Sequence, residues 1–270
     1  MSYALGIIGA GNMAEAIVRG VLRAGVLKPA EIIAADVTPQ RRELFNNDLK
    51  VKVVEDPSQA ARDADTILLS VKPQQMAAVL ATLAPAMKPG TLVISIAAGI
   101  SSKFIEKHLG DTVKWRVIRT MPNTPMLVGE GMVAMATGTH ATPADLAVAR
   151  RLFESAASVI EVREDQIDAV TAVSGSGPAY FFFLVEQMVA AGVALGLSPE
   201  QAHQLATKTA LGSAKMLTTS SDSPAELRRK VTSPGGTTHA AITHMQSQKV
   251  DQAIIDALKA AERRGKELGQ

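Results

Sequence analysis

Over roughly its first 160 residues the chain alternates short β-rich runs with helical patterns, and after residue 164 it carries helical patterns only. Alternation of this kind points to βαβ units and a parallel sheet, because parallel neighbours need a long crossover between them. The spacing predicts strands at 3–8, 32–36, 51–54, 66–71, 92–96, 114–120 and 132–136, with 159–162 closing the region. Several are continuous apolar runs, as expected where helices cover both faces of a sheet. Helices are predicted between them at 13–24, 40–46, 75–84 and 102–108. Thr142-Pro143-Ala144-Asp145 then places an N-cap before a proline at the first helical position, opening a helix to about residue 157.

In the second part, 178–195 reads as one long helix, and Ser198-Pro199-Glu200-Gln201 caps another that runs to about residue 217. Helices at 224–230, 236–246 and 250–268 follow. The segment 177–197 carries one charge, Glu186, and is long enough to span a bilayer. Glu186-Gln187 near its middle, Gly192, Gly196 and the lack of flanking Lys or Arg argue for a protein-buried helix instead. Four of the chain's nine aromatic residues form one run there, Tyr180-Phe181-Phe182-Phe183. Successive helical residues point about 100° apart, so this helix is apolar nearly all round and must be buried on every side. The helices of 164–270 are too few to surround it, which predicts a homodimer with interleaved helices.

With no Cys, thiolate nucleophiles, disulfides and Cys-based metal sites are excluded, and the scattered His residues suggest no metal site. A net charge of +2 without a basic stripe predicts neither a nucleic-acid nor a membrane partner. The N-terminus lacks a basic stretch ahead of its apolar run, so no export signal is expected and the location expected is cytoplasmic.

Gly9-Ala10-Gly11-Asn12-Met13-Ala14 follows the first predicted strand and opens the first helix. Gly9 permits a tight turn, Gly11 admits a pyrophosphate, and Ala14 takes the third small position against the strand. Asp36 ends the second strand about 20 residues on, where an acidic side chain accepts from a ribose 2′-hydroxyl. Thr38, Arg41 and Arg42 follow at once and suit a 2′-phosphate instead, so the cofactor reads as NADPH or NADH. Lys72-Pro73 and Ala97-Ala98-Gly99 end further strands, at the edge where open α/β sheets bind ligands. Met121-Pro122-Asn123-Thr124-Pro125 forms either a rigid wall of the site or a structural turn. The fold class is therefore α/β: a Rossmann-type, doubly wound parallel sheet over 1–163, then an all-helical substrate and dimerisation domain over 164–270.

Two glycine-rich turns in the helical part are candidate anion sites. One is Ser174-Gly175-Ser176-Gly177-Pro178-Ala179-Tyr180, with Ser176 as a candidate substrate contact. The other is Ser233-Pro234-Gly235-Gly236-Thr237-Thr238, where Ser233, Gly236, Thr237 and Thr238 would hold a carboxylate and set an amine or imine nitrogen near a Thr hydroxyl. Each also reads as a plain helix cap. Hydride transfer from a bound nicotinamide needs no nucleophile, which suits this inventory.

These segments together resemble pyrroline-5-carboxylate reductases along essentially the whole length. The likeness rests on Ile8-Gly9-Ala10-Gly11-Asn12-Met13, Val71-Lys72-Pro73, Ser95-Ile96-Ala97-Ala98-Gly99, Met121-Pro122-Asn123-Thr124-Pro125, Ile167-Asp168-Ala169-Val170-Thr171 and the two glycine-rich turns. It implies hydride delivery from NAD(P)H to the imine carbon of 1-pyrroline-5-carboxylate, giving L-proline. It makes Thr238 the catalytic residue, hydrogen-bonded to the ring nitrogen as proton donor, and sets backbone N–H groups around Gly236, Thr237 and Thr238 on the carboxylate. Glu164 corresponds to a substrate-side residue, or else caps a helix beginning near Asp165. Dimers, or rings of dimers such as a decamer, are implied as well. Asp36 and Asp56-Pro57 stand where the family often has Ser or Thr, and Asn, and Lys230 stands at a position that can be Asn and can contact the cofactor, which bears on cofactor preference and not on the reaction. A related β-hydroxyacid dehydrogenase would need a lysine on the first long helix of the second part, and none occurs between Ser174 and Thr207. A nucleotide-sensing scaffold would not need an intact 233–238 turn.

Overall fold

A computed structural model describes residues 2–268. Its core is one eight-stranded sheet: β1 (Tyr3–Ile8), β2 (Ile32–Ala35), β3 (Lys52–Val54), β4 (Ala64–Leu69), β5 (Leu92–Ser95), β6 (Arg116–Pro122), β7 (Gly131–Thr137) and β8 (Ala157–Glu161), in the order β3-β2-β1-β4-β5-β6-β7-β8. Successive side chains of a strand point to opposite faces, and the apolar runs use both. Leu5, Ile7, Ile32, Ala34, Leu68 and Ile94 join one buried cluster. Ile8, Ile33, Ala35, Ile67, Leu69 and Val93 join the other. Helices α1 (Asn12–Arg23), α2 (Pro39–Asn47), α3 (Pro57–Arg62), α4 (Met76–Leu83), α5 (Ser102–Leu109) and α6 (Pro143–Phe153) complete these layers. The core is aliphatic, with Phe45 and Phe153 as its largest fully buried side chains.

Three expectations need correction. The sheet is not wholly parallel, because β6 and β7 pair antiparallel. Helix α3 was not expected; Asp56 caps it by accepting from the Ser58 N–H at 2.9 Å, with Pro57 in its first turn. Helix α6 ends at Phe153 and not near 157, because the chain turns there and enters β8 at Ala157.

After β8 the chain is helical: α7 (Ile167–Val170), a π-helical turn Thr171–Gly175, α8 (Gly177–Ala194), α9 (Pro199–Thr219), α10 (Pro224–Lys230), α11 (Thr237–Ser247) and α12 (Val250–Leu268). The caps anticipated at Thr142 and Ser198 both form, each as a reciprocal capping box. Among the described residues two compact units result, 2–176 with 261–268 and 177–260. In the second, α8 packs against α9, where a Cβ on Gly192 would lie 2.9 Å from that of Ala202. Of the residues of α8 just Gly177 is buried, and Phe181, Phe182 and Phe183 are each more than 60% exposed. The helical run 164–194 is long and apolar enough, by length and composition, to cross a membrane.

Candidate functional site

In the first unit the carboxyl ends of β2, β1, β4 and β5 lie side by side, with Ile8 opposite both Ala35 and Leu69, and Leu69 opposite Ser95. The loops after these strands therefore share one edge of the sheet. That edge gathers Gly9, Ala10, Gly11, Asn12 and Met13 from β1–α1, Asp36 from β2–α2, Lys72 and Pro73 after β4, and Ala97, Ala98 and Gly99 after β5. Backbone bonds extend the ladder into them: Gly9 N–H donates to the Ala35 carbonyl at 2.8 Å, Ser70 N–H to Ile8 at 2.8 Å, and Ile96 N–H to Leu69 at 3.1 Å.

Gly9 has φ +95°, and a Cβ there would lie 2.7 Å from the Ser70 carbonyl oxygen, so an L side chain is excluded twice. At Gly11 a Cβ would meet no atom of the chain within 4 Å. The turn is therefore open where α1 begins, and no side chain caps that helix. Uncapped N–H groups at a helix start carry partial positive charge, and a pyrophosphate fits such a cradle.

Asp36 does two local jobs. Its Oδ2 accepts from the Ala10 N–H at 2.7 Å and its Oδ1 from the Thr38 N–H at 2.8 Å. A ribose hydroxyl would have to share those oxygens. Arg42 donates through Nη1 to the carbonyls of Asp36 and Val37, both at 2.9 Å. Lys72 is exposed and leads into a short 3-10 turn opened by Pro73. Ala97 is buried, and Gly99 has φ +77°.

Glu164 neither points to solvent nor caps the helix after it. Its Oε1 accepts from the Ser102 N–H and its Oε2 from the Ser102 hydroxyl, both at 2.6 Å, which pins the start of α5. Beside it lies Arg119, a group sequence reasoning passed over. Its side chain is 5% exposed, its Nη2 donates to Asp168 Oδ1 at 2.9 Å, and its Nη1 lies 3.9 Å from Glu164. An arginine inside a buried strand was the signal available. Asn123, read as part of a turn, ties three segments: its Nδ2 donates to the Ser174 carbonyl and hydroxyl at 3.3 and 3.2 Å, and its Oδ1 accepts from the Met132 N–H at 2.8 Å. The turn it holds, Thr171–Gly175, is π-helical and ends at Ser176, a geometry common at functional sites.

In the second unit, Ser233 and Gly236 form a turn just before α11, and Thr237 and Thr238 are its first residues. Gly235 has φ +74°, and Gly236 donates its own N–H to the Ser233 carbonyl at 3.0 Å. That commits one expected carboxylate donor and leaves those of Thr237 and Thr238, ahead of the first helical bond from Ala240 to Gly236. No side chain caps α11, and Thr238 is half-buried. Lys230 is paired with Asp222 at 2.6 Å.

Comparison with known proteins bears on both units. Residues 164–268 match the family model for pyrroline-5-carboxylate reductase dimerisation, and 4–99 match that for NADP oxidoreductase, coenzyme F420-dependent. The chain is 45% identical over 267 residues to the pyrroline-5-carboxylate reductase of Pseudomonas aeruginosa, covering 98% of this chain and 97% of that one. The structure of a pyrroline-5-carboxylate reductase from Coxiella burnetii superposes with a TM-score of 0.90, at 36% identity and over 100% of both chains. That of a Plasmodium falciparum pyrroline carboxylate reductase with NADP bound gives 0.89 at 28% identity, over 99% of this chain and 98% of that one.

Proposed function

The chain belongs to the pyrroline-5-carboxylate reductase family, and from that premise we infer that it reduces the C=N bond of 1-pyrroline-5-carboxylate to give L-proline with NADPH or NADH, the last step of proline biosynthesis. The 45% identity across 98% of the chain carries this reading, a span that takes in both the 9–14 and the 233–238 turns. Reduction of the imine requires a hydride at the ring carbon and a proton at the ring nitrogen. The hydride is supplied by the reduced nicotinamide when it is bound.

The chain's own residues bind and orient. Gly9 to Met13 and the uncapped start of α1 would hold the pyrophosphate, with Asp36 at the adenosine ribose and Lys72, Pro73, Ala97, Ala98 and Gly99 toward the nicotinamide half. The N–H groups of Thr237 and Thr238 would hold the substrate carboxylate at the positive end of α11, flanked by Ser233 and Gly236, with Ser176 as a further substrate contact. The Thr238 hydroxyl hydrogen-bonds the ring nitrogen. A threonine hydroxyl is a weak acid, so its part is to orient the ring and donate a hydrogen bond, while a protonated imine brings its own proton. Glu164 acts indirectly, by fixing Ser102 and with it the loop that follows β5.

Two copies of the chain associate through the helices of 164–270, which covers the exposed aromatic run of α8. A ring of such dimers, a decamer, is the larger assembly proposed, and the location proposed is the cytoplasm. The deciding experiment follows oxidation of NADPH and of NADH with saturating pyrroline-5-carboxylate. Turnover with at least one is expected, and none with either would overturn the assignment.

A further inference from the structure

Arg41 and Arg42 are neighbours in the first turn of α2, yet the chain uses them differently. Arg41 reaches two points of the pyrophosphate turn. Its Nε donates to the Ala10 carbonyl and its Nη2 to Glu15 Oε2 at 2.9 Å, with its guanidinium 5.7 Å above the ring of buried Phe45. The Glu15 side chain is 15% exposed and also accepts from Arg19 Nε at 2.8 Å. Burial alone would raise the Glu15 carboxyl, but the hydrogen bonds and charges of Arg19 and Arg41 outweigh it and hold it below its ordinary value. Glu15 is therefore ionised at neutral pH, and the charge of Arg41 is paired.

Ala10 is thus clamped on both sides, its carbonyl by Arg41 and its N–H by Asp36. Both anchors of Arg41 lie in the segment that would cradle the pyrophosphate, Ala10 between the two glycines and Glu15 in the first turn of α1. Arg42 has no such lock. Its hydrogen bonds go to two uncharged carbonyls, and its carboxylate contact is Glu55 at 3.4 Å, a side chain 73% exposed. An ion pair so exposed compensates little charge. From α2 the Arg42 guanidinium reaches Asp36 and Val37, just beyond the end of β2, where dinucleotide folds read the 2′ position of the ribose.

We propose that Arg41, held by Glu15, is a positioning residue that keeps the pyrophosphate turn in shape and does not read the 2′-phosphate, and that Arg42 is the residue that distinguishes NADPH from NADH. The proposal rests on the reductase assignment. Its test is calorimetric titration of the full-length protein with NADP⁺ and with NAD⁺, without substrate, so that turnover does not enter. Glu15→Gln and Arg41→Gln should each weaken both dinucleotides by the same factor, about tenfold, leaving their Kd ratio where it was. The double variant should lose no more than either single one, since both break one unit. Arg42→Gln should weaken NADP⁺ about tenfold relative to NAD⁺. If Arg41 were instead a phosphate ligand restrained by Glu15, Glu15→Gln would release it and tighten NADP⁺ relative to NAD⁺. That result, a changed ratio in Arg41→Gln, or an unchanged ratio in Arg42→Gln would overturn the proposal. Glu15→Gln preserves shape and decides the matter even if Arg41→Gln fails to fold. Failure of the wild type to bind either dinucleotide would overturn the reductase assignment, and this proposal with it.

Discussion

Thr238 occupies the second position of α11, where the helix has no side-chain cap and the N–H of Gly236 is already spent on Ser233. The hydroxyl therefore sits beside the free donors to which the substrate carboxylate is assigned, and the hydrogen bond proposed from it to the ring nitrogen would orient the imine. Orientation of this kind is commonly worth one or two orders of magnitude when a single hydrogen bond is removed. Thr238→Ala is expected to lower kcat/KM by about 10- to 100-fold, or ~1.4–2.8 kcal/mol of transition-state stabilisation. Thr238→Ser should keep most of the activity, because it keeps the oxygen. Steady-state kinetics with varied pyrroline-5-carboxylate decide it, and an alanine variant as active as wild type would remove Thr238 from the mechanism. The contacts that brace the candidate site were less legible than the residues proposed to perform the chemistry. Thr238 and the glycines sit in contiguous motifs, whereas Glu15 meets Arg41, Arg119 meets Asp168, and Glu164 meets Ser102 across gaps of 26, 49 and 62 residues. Only folding brings such partners together; a buried-strand arginine such as Arg119 signals that a partner is needed, but one sequence does not say which.

At the scale of elements, local propensity and packing can point in opposite directions, and Gly20 in α1 is a case where they do. Glycine in a helix interior costs about 1 kcal/mol relative to alanine, so propensity alone favours Gly20→Ala. A Cβ at Gly20 would however lie 2.7 Å from the Ala156 Cβ and 2.9 Å from the Ser155 hydroxyl, in the turn between α6 and β8. Neither contact is the far end of a flexible side chain, so α1 would have to shift off the sheet. Gly20→Ala is expected to lose about 1–3 kcal/mol, read as a lower urea midpoint; a raised midpoint would show that α1 can move freely. Elements with long apolar periods or strong caps were readable in advance, as Thr142 and Ser198 show. Helix α3 carries the same kind of signal, Asp56-Pro57, but its six residues are too few to show a period. The antiparallel pairing of β7 was present in loop length, for 123–130 is too short to carry a parallel crossover.

For the molecule as a whole, the unresolved physical debt of a single chain is the helical unit 177–260. Phe181, Phe182, Phe183, Leu205, Leu211 and Ile254 are each more than half exposed. Apolar surface on that scale marks an interface. Water, lipid or a second subunit must meet it, and the match of 164–268 to a reductase dimerisation family favours the subunit. If so, burial of α8 is a property of the dimer, and the α8 aromatics contribute to association rather than to the fold of one chain. Phe182, 68% exposed, then offers a substitution that a lone chain would tolerate. Light scattering at micromolar concentration without detergent should give a dimer or a multiple of one for the wild type. Phe182→Glu, which sets a charge where burial is expected, should shift the protein toward monomer while the nucleotide unit still binds its dinucleotide. A wild-type monomer, or a Phe182→Glu protein that assembles as the wild type does, would mean that something other than a second copy covers this helix.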